Sequence, residues 1–183
     1  FTYLAAAGTS SATLTLGGDA VITLPAFPTV RGTGSTATAT FDFTTGSLRP
    51  AVADPAYMSG LTNAYLTTNG LRLDTDGKDI TIAQSFQNAP SNAGSLTKIG
   101  AGTLTLTAAN TFSGTLTATG GTLNITNPLG AQNAIVVPTT TGTLNLPAGT
   151  NISIGGLGGS NGITLPSSIT LNGPGSATYS GQI

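Results

Sequence analysis

The tripeptide Gly-Thr-Leu begins at Gly102, Gly114, Gly121 and Gly142, and Gly162-Ile163-Thr164-Leu165 is a close variant. Gly102, Gly121, Gly142 and Gly162 lie 19, 21 and 20 residues apart. A step near 20 residues suits one coil of a solenoid, whose repeats bury their apolar faces only by stacking. Within the step the periodicity is two. Thr103 to Thr107 reads TLTLT, Thr115 to Thr119 reads TLTAT, and Thr122 to Thr126 reads TLNIT. The same alternation runs through Thr13–Leu16, Val21–Leu24, Thr36–Phe43, Leu71–Asp74 and Ile80–Ile82. Aliphatic residues alternating with Thr or Asn specify half-buried strands, and Gly, Asn, Pro and Ser mark the turns.

The expected fold is therefore all-β, a right-handed parallel β-helix with about 20 residues per coil. A sandwich, with hairpin turn signals every 8–12 residues, is the rival; that spacing also occurs here, since each coil holds two or three strands, and the longer step favours the solenoid. At about 4.8 Å between coils, 183 residues predict about nine coils and about 43 Å of length. Residues 1–183 read as a single solenoid domain. One stretch departs: Asp54-Pro55 followed by Gly60 carries an N-cap candidate, a helix-start Pro and a closing Gly, and predicts one short helical turn near 55–60.

Composition narrows the chemistry. The chain has no His, Cys, Glu or Trp, and 6% of it is charged. Without His or Cys, Ser-His-Asp and Cys-His nucleophile systems are excluded, as are the usual zinc, haem and iron–sulfur ligand sets. Five Lys and Arg at net charge −1 do not make a nucleic-acid footprint. No apolar run approaches a membrane span, so no membrane insertion of this segment is expected. Residue 1 is Phe with no basic region after it, so the chain is expected to be processed or cut from something longer. Charge scarcity itself suits a solenoid, because like charges in successive coils would stack as repelling pairs.

The stretch from Gly94 contains Leu96-Thr97-Lys98, Gly100-Ala101-Gly102-Thr103-Leu104, Asn110-Thr111-Phe112-Ser113-Gly114 and Gly121-Thr122-Leu123. This succession closely resembles the passenger-associated transport repeat of autotransporter-type surface proteins. Its motif positions are Lys98, Gly100, Gly102, Asn110, Phe112, Gly114 and Gly121. Residues 1–93 are similar to segments found between such repeats, 94–126 form the repeat, and 127–183 read as further coils. The resemblance implies a parallel β-helix, an extracellular or bacterial cell-surface location, and a stalk-like or adhesive role. No run of membrane-barrel strands follows, so passenger material alone is expected.

Other motifs are weaker. Gly158-Gly159-Ser160-Asn161-Gly162 fits G-x-S-x-G but lacks the His and helix of a nucleophile elbow. Ser95 and Lys98 fit S-x-x-K, yet on a strand they point to opposite sides. Asp74, Asp76 and Asp79 around Gly77 form a weak calcium candidate; a tight turn with Asp caps explains them better. The same carboxylates could suggest a glycan-cleaving enzyme, but no second polar cluster joins them, and fold does not carry function. The Thr-x-Thr runs would suit an ice-binding face only if Thr held equivalent places in successive coils, and the drifting step argues against that. Tyr57, Met58 and Tyr65 read as a core plug rather than a ligand patch. The strings at Asn124 and Asn151 read as chance glycosylation matches.

These residues predict a structural protein, not an enzyme, with no cofactor. Its expected partner is itself, stacked head to tail as a homopolymer, with a host or surface glycan as the alternative. The assembly edges would be Phe1, Tyr3 and Leu4 at one end and Tyr179 and Ile183 at the other, because open strand edges template pairing.

Overall fold

The computed structural model describes residues 9–16, 19–27, 36–43, 45–147, 151–161, 163 and 168–173. The first strands are β1 (Thr9–Leu16), β2 (Val21–Leu24), β3 (Thr36–Phe43), β4 (Ser47–Pro50), β5 (Asp54–Met58) and β6 (Asn63–Leu66). They are followed by β7 (Leu71–Asp74), β8 (Ile80–Ile82), β9 (Gln87–Asn88), β10 (Leu96–Ile99), β11 (Thr103–Leu106) and β12 (Thr115–Ala118). The last are β13 (Gly121–Ile125), β14 (Ala131–Val137), β15 (Gly142–Asn145), β16 (Asn151–Leu157) and β17 (Ser168–Leu171).

Every pairing among them is parallel. Three sheets result: a first of order β1-β3-β6-β9, a second of order β17-β16-β14-β12-β10-β7-β4-β2, and a third of order β15-β13-β11-β8-β5. The chain visits them in rotation, β3-β4-β5, then β6-β7-β8, then β9-β10-β11, which makes a β-solenoid. Among the described residues the first sheet ends at β9, though the next coil still stacks on that side, the Thr111 N–H donating to the Phe86 carbonyl at 2.9 Å.

Inward positions stack by kind. In the second sheet Leu71, Leu96, Leu116 and Val136 form one buried column. In the third, Ile82, Leu106 and Ile125 do the same. Each such side chain contributes about 1.5–3 kcal/mol by leaving water. Between the three-sheet coils, Phe41 packs against Phe27, Phe43 and Phe86 at centroid distances of 5.4, 6.2 and 6.1 Å. Tyr57 and Met58 are fully buried, as expected of a plug. Tyr65 is only half-buried, on β6. Burial pushes the Tyr57 hydroxyl far above its ordinary pKa, with the Asp54 charge adding to it.

The step varies along the chain more widely than the Gly-Thr-Leu spacing of 19 to 21. Hydrogen-bonded vertical neighbours are 25 residues apart at Asn63 and Thr38, 20 at Thr115 and Ser95, 21 at Asn145 and Asn124 and 17 at Ser168 and Asn151. The longest face stacks eight strands among the described residues, against the roughly nine coils expected.

A correction concerns residues 55–60. Asp54–Met58 is the strand β5, paired to β8 with a register shift between Asp54 and Met58. Asp54 accepts the Ala56 N–H at 2.8 Å, a contact two residues on that caps a bulge rather than a helix. Pro55 needs no partner at such a bulge. Gly60, at φ +80°, then turns the chain into β6.

Candidate functional site

The repeat-motif residues gather at two corners. The first lies between β10 and β11. Strand alternation puts Lys98 on the same face as Leu96, and Lys98 is 0% exposed. It stands in a column with Leu48 and Leu73 on one side and Ala118 on the other. Its ammonium donates to the carbonyls of Gly100 at 2.6 Å, Gly120 at 2.9 Å and Ile99 at 3.0 Å. An ammonium has three donors, so all are satisfied. Burial pulls the Lys98 pKa below its ordinary value, against the weaker opposing pull of Asp74 and Asp79.

Glycines make this corner possible. Gly102 has φ +83°, and a Cβ there would meet the Lys78 carbonyl at 2.4 Å. Gly121 has φ +59°, and its Cβ would press on the Gly102 carbonyl at 2.3 Å and the Lys98 ammonium at 2.8 Å. Gly100 likewise faces the Asp74 carboxylate.

The second corner lies between β11 and β12. Asn110 is 1% exposed and joins three coils. Its side-chain oxygen accepts the Phe86 N–H at 2.8 Å, and its amide nitrogen donates to Gly130 at 2.8 Å. Phe112 is buried in the core beside it. Gly114 crosses so close to the preceding coil that a Cβ would meet the Gly94 carbonyl at 2.5 Å. The coil shortens here. Asn88 accepts both the Gly94 N–H at 2.8 Å and the Ser113 N–H at 2.9 Å. That pinches off the loop 89–93, which has no counterpart in the next coil.

Asn88 was not foreseen, nor was Gln84, whose buried amide bonds both backbone groups of Leu61 at 2.8 and 3.1 Å. Neither belongs to the Gly-Thr-Leu vocabulary. Their only sequence signal is an amide in an otherwise unpatterned corner.

The three calcium-candidate carboxylates are engaged separately. Asp74 pairs with Arg49 at 2.6 Å, Asp76 with Lys78 at 3.0 Å, and Asp79 accepts the Thr103 N–H at 2.8 Å. The hydrogen bond from Lys78 and its charge hold the Asp76 carboxyl below its ordinary pKa, and the hydrogen bond and charge of Asp74 raise that of Arg49. Among the described residues, no three acidic side chains group to hold a metal. Arg49 and Asp74 are vertical neighbours all the same, and being of opposite sign they attract.

Ser95 accepts the Thr115 N–H at 3.2 Å, while Lys98 points into the core, so S-x-x-K does not converge. Gly162 of the G-x-S-x-G string, and the assembly-edge residues Phe1, Tyr3, Leu4, Tyr179 and Ile183, lie outside the described residues.

The fold and these corners define a parallel β-solenoid: coils closed by buried polar side chains and by glycines of positive φ. Residues 96–125 match the family described as Passenger-associated-transport-repeat, and that stretch is similar to an autotransporter passenger repeat. It begins at Leu96, two residues before Lys98, and ends at Ile125, the last residue of β13. No curated protein and no solved structure matches the chain.

Proposed function

We propose that the chain is a non-catalytic structural segment, a stalk or filament subunit displayed on a bacterial surface or secreted, which stacks end to end with identical chains. The observation that carries this reading is the use made of the polar side chains. Lys98, Asn110, Asn88 and Asp74 each bind a neighbouring coil. Such bonds stiffen a rod along its axis. The passenger repeat supports the outer location.

Stacking draws support from the outermost strands of the second sheet. Leu171 on β17 continues the core column of Ala131 and Ile154, yet is 64% exposed; at the other end Ile22 and Leu24 on β2 pack against the core and are only partly buried. A second chain could cover such residues by parallel strand addition, a heterologous contact that yields filaments.

Electron microscopy of the purified chain at increasing concentration tests this. Filaments that lengthen with concentration are expected. Single short rods at every concentration would overturn the stacking and leave the stalk. The alternative, an adhesive module, would appear as glycan-array binding by those single rods.

A further inference from the structure

The strands of the repeat are nearly interchangeable along their length, and we infer that Lys98 is the device that selects one register among them. On β11 and β13, Leu104 faces Leu123 and Leu106 faces Ile125, with Thr105 over Asn124 between them. A slip of two residues puts Leu104 over Ile125 and keeps every side chain on its own face, because the side-chain period of a strand is two. The aliphatic columns therefore oppose a slip of one residue but hardly a slip of two. Neutral hydroxyls discriminate no better. The Thr119 hydroxyl donates to the Lys98 carbonyl at 3.4 Å, and Thr115 and Thr117 carry the same group earlier in the same run.

Lys98 does discriminate. It is the only buried charged side chain among the described residues. Of its three acceptors, Ile99 and Gly100 travel with it on its own coil, whereas Gly120 belongs to the next. With β10 on β12 in the observed register, Lys98 stands over Ala118, and Gly120 follows two residues later. A slip of two residues along β12 moves the Gly120 carbonyl by about 6.6 Å, out of reach of the ammonium. One N–H of a buried cation is then left without an acceptor, a larger penalty than exchanging Leu for Ile across a column.

Size acts in the same sense. Ala118 is the small member of a column that otherwise holds Leu48, Leu73 and Lys98, and the slip replaces it by Leu116. The glycines receive the cation at this one place. Gly121, at φ +59°, passes so near that a Cβ would lie 2.8 Å from the ammonium. Buried polar residues set the register of coiled coils in the same way, where the apolar seam alone is degenerate.

Disulfide trapping tests the inference, in a chain that has no cysteine of its own. Thr97 and Thr117 are outward neighbours in the observed register, so Thr97→Cys with Thr117→Cys places two thiols within crosslinking distance. Thr115 and Thr119 lie to either side of Thr117, about 8 Å from Thr97 by strand geometry, and come within disulfide reach only after a slip of two residues. The three cysteine pairs are compared under mild oxidation at low protein concentration in the parent, in Lys98→Met and in Leu123→Ala, which weakens the core and leaves Lys98 in place. Circular dichroism and melting show which are folded, with Lys98→Leu and Leu123→Val in reserve for a variant that is not.

The expected result is the disulfide between positions 97 and 117 alone in the parent and in Leu123→Ala. In Lys98→Met, one or both of the slipped pairs should rise at least about tenfold over the parent. Three results would overturn the inference. The first is a folded Lys98 variant that crosslinks in the observed register alone. The second is an equal rise in Leu123→Ala, which would make slippage a matter of stability. The third is failure of both Lys98→Met and Lys98→Leu to fold, which would make the lysine a requirement of the fold and not a choice between registers.

Discussion

The Lys98 ammonium lies 2.9 Å from the carbonyl of Gly120, a residue one coil further along the solenoid. A charge placed in a column of aliphatic side chains is thereby turned into a coil-to-coil bond.

Replacing Lys98 by Met keeps the apolar stem and leaves the Ile99, Gly100 and Gly120 carbonyls without this donor. Relief from burying a charge offsets part of that loss, so a net destabilisation of about 2–3 kcal/mol is expected in urea unfolding. The pH dependence has a definite sign. The folded-state pKa of Lys98 is depressed below 10.5, so the unfolded chain binds the proton more tightly. The penalty of burying the charge is complete below the folded value and fades as pH rises toward 10.5. The stability of the parent chain should rise relative to Lys98→Met across that alkaline window. A constant difference would disprove the depression.

Two glycines of similar backbone separate strain from crowding. Gly77 has φ +79° with nothing within 4 Å of a Cβ, whereas Gly102 has φ +83° with the Lys78 carbonyl at 2.4 Å. Gly77→Ala should lose about 1 kcal/mol, from left-handed strain alone. Gly102→Ala should lose at least about 3 kcal/mol, because backbone must move. Thermal melts of the two variants measure the gap directly.

Asn110→Ala removes the acceptor of the Phe86 N–H and the donor to Gly130, both buried. A loss of about 2–4 kcal/mol is expected. Hydrogen exchange should show it as faster exchange at Phe86 in particular, the amide left without an acceptor.

The Arg49–Asp74 pair is partly exposed, with side chains 34% and 14% accessible. A double-mutant cycle with Arg49→Met and Asp74→Asn should give a coupling of about 0.5–1 kcal/mol, shrinking as salt is added. A coupling that salt leaves unchanged would contradict the exposure.

The strands were legible because alternation writes burial directly into the sequence: TLTLT and TLNIT carry Leu104, Leu106, Leu123 and Ile125 inward as read. The corners were not. Asp54-Pro55 begins a bulged strand as readily as a helix, and burial of Tyr57 and Met58 decided between them. Alternation alone puts Lys98 on the Leu96 face, but it says nothing of the three carbonyls that make the place habitable for a cation. The contraction of the coil rests on Asn88, one amide with no repeat around it. Of the three acidic residues of the calcium candidate, the sequence shows the proximity but not Arg49, which arrives from the preceding coil.

The shortening of the coil past Asn88 has a mechanical consequence. A coil of 25 residues encloses a broader cross-section than one of 20, and the bending stiffness of a beam rises steeply with its width. A rod built this way is a stepped beam. Under lateral load its curvature gathers on the slender side of the step, just past Asn88, where a single side-chain oxygen clasps both the Gly94 and Ser113 amides.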